Sequence, residues 1–227
     1  MATVAREIIN RNGYSDRIDV IAKNSRDLAL GVDLEQPAEL LFCDIFANDM
    51  MGWEPLRLLA DARRLLAPGS PVVPAAGAFR VALANWGGYD RFCRLDRPGG
   101  FDLSPFDGFI SPAIGVEIGD SSLALLSHDV EALRFDFAST SQSQSDRIEV
   151  ILEATDECHA NGIVGWTRLE LDAETVLEAR PAPGTTFYQS PLFYPLPRPV
   201  PLQRGGKLRI GVTHDARRLI IWPFGAV

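Results

Sequence analysis

The sequence predicts a chain in two parts, a piece of an α/β sheet over residues 1–73 followed by a mostly β domain over residues 74–227. In the first part, two helical patterns alternate with two short apolar runs that are typical of strands. After Pro74 the pattern changes to short apolar or alternating runs separated by Gly, Pro, Asp and Ser, which indicates an antiparallel barrel or sandwich. A chain of 227 residues has room for one large domain or two small ones.

The elements of the first part follow from spacing and from stop signals. Apolar residues at helical spacing predict a helix over Val4–Arg11, which ends at Asn12-Gly13. A β-branched run predicts a strand over Ile18–Ala22, and a second apolar run predicts a buried strand over Leu40–Cys43. A proline at the first helical position and one apolar stripe predict a helix over Pro55–Leu66. Because the connections between strands are long, the sheet is expected to be parallel and covered by helices.

The second part is predicted to be strands and turns. A polar stretch over Ser139–Ser145 is expected to be an exposed hairpin loop between two of the strands. The predicted strands are Ala78–Leu83, Ile114–Ile118, Leu123–Leu126, Leu133–Phe137, Ile148–Ala154, Gly162–Leu171, Phe187–Leu192 and Lys207–Thr213.

Composition excludes several classes of protein. Hydrophobic residues make up 46% and charged residues 23% of the chain, values that exclude a disordered chain, a collagen or a coiled coil. The net charge of −8 argues against nucleic-acid binding and suits a basic partner. Cys43, Cys93 and Cys158 fit no disulfide framework, and no apolar run is long enough for a membrane span. We therefore expect a soluble, cytoplasmic protein without a membrane partner.

Few residues suggest hydrolytic or metal chemistry. His128 and His214 each precede an aspartate at a strand end, where turn polarity explains them. Cys158 and His159 are neighbours, and adjacent residues on a strand point to opposite faces, so no metal site is predicted. The sequence contains neither a Gly-x-Ser-x-Gly elbow nor a phosphate-binding loop, which argues against a serine hydrolase or a P-loop enzyme.

An acidic segment between the second strand and the second helix is more informative. Asp44, Asp49 and Glu54 lie beyond the carboxyl end of a strand, where open α/β sheets bind ligands. Carboxylates held close together attract a guanidinium or ammonium group. The alternative is a solvated loop with acidic residues at a helix entry.

Taken in order, several motifs resemble those of the protein arginine N-methyltransferases, with the greatest likeness to the branch of the type III enzymes and their bacterial relatives. The likeness covers nearly the whole chain, and each motif alone is weak. The matching segments are Asn12-Gly13, Ile18–Ala22, Asp44–Glu54, Leu65–Gly69, Pro74, Gly100–Asp107, Leu133–Phe137, Gly162–Trp166, Leu169–Leu171 and Thr185–Gln189.

The resemblance implies a fold and a set of site residues. Residues 1–73 would be the C-terminal half of a Rossmann-like, S-adenosylmethionine-dependent methyltransferase domain, and residues 74–227 a β-barrel that binds substrate. Asp44 and Glu54 would be catalytic, because in the family two carboxylates hold the substrate guanidinium. The residues implied at the cofactor are Ser25, Arg26, Asp27 and Asp44, and those implied at the substrate are Asp49, Met51, Tyr188 and Gln189.

The sequence also departs from the family pattern. The first family glutamate aligns with Asp44 and the second with Trp53, so that Glu54 is displaced by one residue. The family's Thr-His-Trp loop aligns with Thr186–Tyr188, which puts Phe187 at the histidine. The glycine-rich cofactor turn would precede the first helix and is absent from the sequence. We therefore expect an N-terminally truncated or a degenerate relative.

Two functions remain open at this point. One is S-adenosylmethionine-dependent methyl transfer to an arginine-containing protein or peptide. The other is a non-catalytic binding or dimerisation module that lacks the cofactor turn. A family dimerisation arm would lie near Trp86–Leu95, so a homodimer is a further hypothesis, and packing of these aromatic residues over the β domain is its alternative.

Overall fold

The computed structural model describes residues 1–93, 98–138, 147–185 and 187–226. Its helices are α1 (Ala2–Arg11), α2 (Pro55–Ala62) and α3 (Gly87–Phe92). The first helix ends where predicted, because Asn12 leaves the helical conformation and Gly13 takes a φ of +74°. A 3₁₀ turn, Arg63–Leu65, follows α2, so the predicted second helix is confirmed with a tighter last turn.

The described residues contain twelve strands. They are β1 (Leu41–Phe42), β2 (Val72–Val73), β3 (Ala76–Trp86), β4 (Ile114–Gly115), β5 (Leu123–Leu125), β6 (Val130–Asp136), β7 (Ile148–Glu153), β8 (Cys158–Glu170), β9 (Val176–Glu178), β10 (Leu192–Leu202), β11 (Lys207–His214) and β12 (Leu219–Ala226).

The α/β part contains one short parallel sheet. In it β1 lies beside β2, with Leu41 opposite Val72. The strand predicted over Ile18–Ala22 is wrong, because a strand needs a neighbour to share its hydrogen bonds and no described strand pairs with this segment. The strand predicted over Leu40–Cys43 forms as β1. It is not buried as predicted, since Phe42 is 69% exposed.

The β part is antiparallel, as predicted. Its seven-stranded sheet has the order β4-β10-β8-β3-β5, with β6 also beside β3 and β9 also beside β8, and β12, β11 and β7 form a second sheet. The strand pairings of the described residues do not close into a ring, so a barrel stays a prediction. The loop predicted over Ser139–Ser145 lies outside the described residues.

Two strands of the β part depart from the sequence prediction. Of the segment Phe187–Leu192, only Leu192 is in a strand, because the residues before it turn to contact the first part of the chain. Strand β10 then continues through four prolines, and its pairing with β8 is irregular between Pro195 and Val200. Proline cannot donate a ladder hydrogen bond, which explains both the irregularity and the missed prediction. The sequence pattern also missed β12.

One hydrophobic core joins the two parts. Phe46 stacks on Phe137 at a ring-centroid distance of 4.9 Å, and Met50 and Met51 are fully buried in the same cluster. The chain between β1 and α2 is therefore packed into the β part, and the division at residue 73 stays a prediction. In the part of the chain that the structure describes, no helix is long and apolar enough to cross a membrane.

Aromatic side chains near the expected dimerisation arm are buried. Trp86 and Tyr89 are 5% and 9% exposed, and both rings pack on Phe193, at centroid distances of 5.2 and 5.5 Å. This packing matches the alternative in which these aromatic residues cover the β part. Arg94 and Leu95, at the end of the expected arm, lie outside the described residues.

Candidate functional site at the acidic loop

The acidic loop, Asp44–Glu54, is held in shape by its own side chains and by the core. Asp49 Oδ1 accepts hydrogen bonds from the amides of Met51 and Gly52, at 3.0 and 3.1 Å. Met50 and Glu54 take positive φ values of 67° and 54°, which are unusual for residues with a side chain. Burial of both methionines anchors the loop while its carboxylates stay near the surface.

Among the described residues, four hydrogen bonds tie positions 46–49 of the acidic loop to the β part. Gln189 Nε2 donates to the carbonyl of Phe46 at 2.7 Å, and the side chain of Gln189 is 2% exposed. The other three bonds are Thr167 Oγ1 to the carbonyl of Asn48 at 3.0 Å, the amide of Ser190 to Asn48 Oδ1 at 3.2 Å, and the amide of Leu219 to Asp49 Oδ2 at 3.3 Å. The loop is thus positioned by residues more than 110 positions later in the chain.

Asp44 is paired with a tyrosine from the β part. Tyr188 Oη donates to Asp44 Oδ1 at 2.6 Å, and the ring of Phe187 packs edge-on against Tyr188 at 4.9 Å. Partial burial and the negative charge of Asp44 both raise the pKa of Tyr188. The phenol therefore stays protonated at neutral pH and acts as a donor. Asp44 Oδ2 makes no hydrogen bond to the described residues, and the residue is exposed.

Glu54 lies among arginines of its own chain. Its carboxylate oxygens lie 3.6 Å from Arg26, 3.5 Å from Arg57 and 2.7 Å from Arg217 Nε. The Glu54 side chain is 25% exposed. Contacts with these three cations balance the negative charge of a carboxylate that the family resemblance assigns to a substrate guanidinium.

The segment expected at the cofactor is a 3₁₀ turn, Ser25–Asp27. The Asn24 side chain caps it by accepting from the Arg26 amide at 3.1 Å. Arg64 donates to the carbonyls of Ser25 and Arg26 at 3.1 and 2.8 Å, and also to that of Leu28. All three residues of the turn are exposed.

The predicted site residues fall into separate groups. Asp44 meets Tyr188, and Glu54 meets Arg26 from the predicted cofactor turn. Asp44 and Glu54 share no hydrogen-bond or ion-pair partner among the described residues. Met51 is fully buried and offers no surface to a ligand in this conformation, since its side chain fills the core. Three other residues are predicted to bind the substrate. Gln189 and Asp49 hold the acidic loop in place, and Tyr188 donates to Asp44.

Sequence reasoning missed Asn48, Arg64 and Arg217. Asn48 lies inside the predicted acidic segment, and its two oxygens accept hydrogen bonds from the β part. Arg64 lies inside the predicted second helix, where no local pattern relates it to the carbonyls of Ser25 and Arg26. Arg217 follows Asp215 in a turn, and no local pattern relates it to a carboxylate 163 positions earlier.

Comparison with known proteins supports the resemblance stated above. No family model matches the chain. The arginine N(omega)-methyltransferase of Streptomyces achromogenes subsp. streptozoticus is 26% identical over 226 residues, covering 97% of this chain and 62% of the relative. Protein arginine N-methyltransferase 7 of Drosophila grimshawi is 27% identical over 199 residues, covering 80% of this chain and 28% of the relative. The chain thus spans less than two thirds of these curated relatives.

Solved structures show the same fold. The Trypanosoma brucei PRMT1 enzyme–prozyme heterotetrameric complex with AdoHcy superposes with a TM-score of 0.81 at 18% identity, covering 97% of this chain and 72% of that chain. Arabidopsis thaliana protein arginine methyltransferase 10 superposes with a TM-score of 0.75 at 13% identity, covering 97% and 73%. Sequence and fold point to the same group of proteins.

Proposed function

We propose that this chain, which is related to the protein arginine N-methyltransferases, supplies the acceptor side of S-adenosylmethionine-dependent methyl transfer to an arginine guanidino nitrogen. The observation that carries the proposal is the acidic loop, fixed to the β part with the Asp44 carboxylate exposed at its start. The substrate class proposed is an arginine-containing protein or peptide.

The chemistry proposed for Asp44 is binding and orientation. A guanidinium offers parallel N–H donors, and a carboxylate accepts them through two oxygens. Because Oδ1 of Asp44 already accepts from Tyr188 Oη, Oδ2 would accept one N–H of the substrate guanidinium. Orientation of this kind lowers a barrier because the attacking nitrogen is held in line with the electrophile. Glu54 is already contacted by three arginines of the same chain, so in this arrangement it would add little attraction for the substrate.

Methyl transfer forms a bond between the guanidino nitrogen and the methyl carbon while the bond between that carbon and its sulfur breaks. The guanidinium loses one proton, and solvent water would accept it. S-adenosylmethionine, when bound, supplies the electrophilic methyl group on a sulfonium. This chain would contribute the acceptor geometry and one carboxylate.

The proposed cofactor residues fit the cofactor only in part. Asp27 and Asp44 are carboxylates of the kind that bind hydroxyl and ammonium groups, but both are exposed, as are Ser25 and Arg26. Exposed groups bind weakly because water competes for their hydrogen bonds. We therefore propose these four residues as one wall of a cofactor site, in the second half of a Rossmann-like domain over residues 1–73.

A second candidate function, a non-catalytic binding or dimerisation module, is favoured by one observation. Three arginines of the same chain already contact Glu54, so only one of the two proposed carboxylates is open to a ligand. In this alternative the acidic loop would bind an arginine-containing partner without transfer.

Two measurements separate the candidates. Isothermal titration of the purified chain with S-adenosylmethionine tests the cofactor, and transfer of a radiolabelled methyl group to an arginine-containing peptide tests the reaction. Micromolar binding with transfer supports the enzyme, and Asp44→Asn should then reduce turnover more than cofactor affinity. Peptide binding without cofactor binding supports the module. Binding of neither contradicts both.

Assembly, architecture and location are proposals as well. A β-barrel over residues 74–227, a homodimer and a cytoplasmic location agree with the resemblance to the family. Light scattering tests the dimer, and a monomer at high protein concentration would exclude it. Burial of Trp86 and Tyr89 leaves other residues to form such a contact.

A further inference from the structure

Arg217 brings a guanidinium of the chain itself to the acidic loop. Its Nε lies 2.7 Å from Glu54 Oε1, although the two residues are separated by 162 others. The other two arginines near Glu54 lie farther away, at 3.5 and 3.6 Å. Arg217 is therefore the nearest of the three cations in this cluster.

The turn that carries Arg217 is shaped by its own hydrogen bonds. Asp215 Oδ1 accepts from the amides of Arg217 and Arg218, at 2.9 Å each. Ala216 takes a φ of +65°, and its amide donates to His214 Nδ1 at 3.3 Å. These contacts place the backbone of the turn independently of Glu54, so the Arg217 side chain can leave the ion pair without unfolding the turn.

The same turn is fastened to the acidic loop at a second point. The Leu219 amide donates to Asp49 Oδ2 at 3.3 Å, and Asp49 Oδ1 holds the amides of Met51 and Gly52. The turn and the loop are thus also joined by a hydrogen bond that does not involve the arginine, from the Leu219 amide to the Asp49 carboxylate. The Arg217 side chain is 72% exposed, which leaves it room to swing into solvent.

We infer that Arg217 competes with a bound guanidinium for Glu54, and so lowers the affinity of the acidic loop for arginine-containing ligands. The inference deepens the proposed function and depends on it, because the competing ligand is the proposed substrate. A ligand guanidinium that binds Glu54 would take the place that the Arg217 guanidinium occupies in this structure. Arg217 and the ligand both present a guanidinium to the same carboxylate. Replacing one by the other therefore leaves the net charge around Glu54 unchanged.

The expected effect is modest. An exposed ion pair contributes little because water and ions screen it. Removing Arg217 should therefore tighten ligand binding by about two- to five-fold, which is about 0.4 to 1 kcal/mol at 1.4 kcal/mol per tenfold. The gain should shrink as salt is raised, since screening weakens both ion pairs.

The test titrates the full chain with a Gly-Gly-Arg-Gly-Gly peptide that has blocked ends. Two-dimensional NMR spectra measure the binding. The same peptide with citrulline in place of arginine controls for the charge of the ligand. The variant is Arg217→Gln, and the matched control is Arg218→Gln, which removes the same charge from the next residue. Arg218 pairs with Asp215 at 3.3 Å and not with Glu54. Both side chains are more than 70% exposed, so both variants should fold.

The inference predicts tighter arginine-peptide binding in Arg217→Gln alone, and no such gain in the double variant with Glu54→Gln. An equal change in both arginine variants, or a gain that persists without Glu54, overturns the inference. In that case binding that is lost in Asp44→Asn still supports the proposed function. No arginine-specific binding in any variant overturns both.

Discussion

Tyr188 Oη lies 2.6 Å from Asp44 Oδ1 and so joins residues 144 positions apart in the chain. One oxygen of the proposed guanidinium-binding carboxylate is fixed by this hydrogen bond. The proposed site therefore needs the β part to be folded before its first carboxylate is oriented.

Replacing Tyr188 by Phe should change stability in a pH-dependent way. The folded protein raises the pKa of Tyr188 above its ordinary value near 10, through partial burial and the hydrogen bond to Asp44. The hydrogen bond therefore contributes fully below about pH 10 and is lost as the pH rises through the folded pKa. Because Tyr188 is 65% exposed, we expect a loss of about 0.5 to 1 kcal/mol at pH 7.

Urea unfolding at pH 7 and at pH 10.5 measures this difference. The gap between wild type and Tyr188→Phe should be smaller at the higher pH. Tyr14→Phe, at a tyrosine that is 47% exposed, is the control for loss of a phenol hydroxyl at the surface. A gap that grows with pH would contradict the assignment of Tyr188 as the donor.

Replacing Gln189 by Leu should destabilise the protein by about 1 to 3 kcal/mol. The change removes the donor that bonds the Phe46 carbonyl at 2.7 Å and leaves a buried acceptor without a partner. Urea unfolding followed by tryptophan fluorescence measures the loss. Gln203→Leu, at an exposed position, should stay within about 0.5 kcal/mol of wild type. Equal effects of the two changes would show that Gln189 does not anchor the loop.

Replacing Arg64 by Ala should loosen the proposed cofactor turn without unfolding the protein. Arg64 donates to the carbonyls of Ser25, Arg26 and Leu28, so its loss frees all three. We expect faster hydrogen exchange in peptides covering residues 24–30, with little change in global stability. Arg57→Ala, on the preceding helix α2, removes an ion pair with Glu54 and is the control. Unchanged hydrogen exchange in this segment would show that Arg64 does not hold the turn in place.

Replacing Gly162 by Ala should destabilise the β part by about 3 kcal/mol. A Cβ at Gly162 would lie 2.1 Å from the Phe193 ring, and Phe193 is fully buried and packed against Trp86 and Tyr89. A Cβ at Gly108 meets nothing within 4 Å, so Gly108→Ala should be nearly neutral. Thermal unfolding compares the two variants. Similar melting temperatures would show that the cross-strand packing is looser than the structure describes.

Sequence patterns predicted the elements whose signals are local. The helix stop at Asn12-Gly13 and the proline at the start of α2 are signals carried by neighbouring residues, and both are confirmed. The failures are the segments whose structure depends on distant partners. Ile18–Ala22 has strand-forming residues but no described neighbouring strand, and β10 pairs as a strand in spite of its prolines.

For the candidate site, the sequence by itself determined which chemistry was available: an acidic loop after a strand, and motifs that resemble the arginine methyltransferases. Only the tertiary structure decided that Asp44 is paired with Tyr188 while Glu54 is surrounded by three arginines. The physical reason is that a carboxylate's ligands are set by which side chains lie within a few ångströms. For Asp44 and Glu54 the nearest such groups come from residues 188 and 217, far beyond the reach of any local pattern.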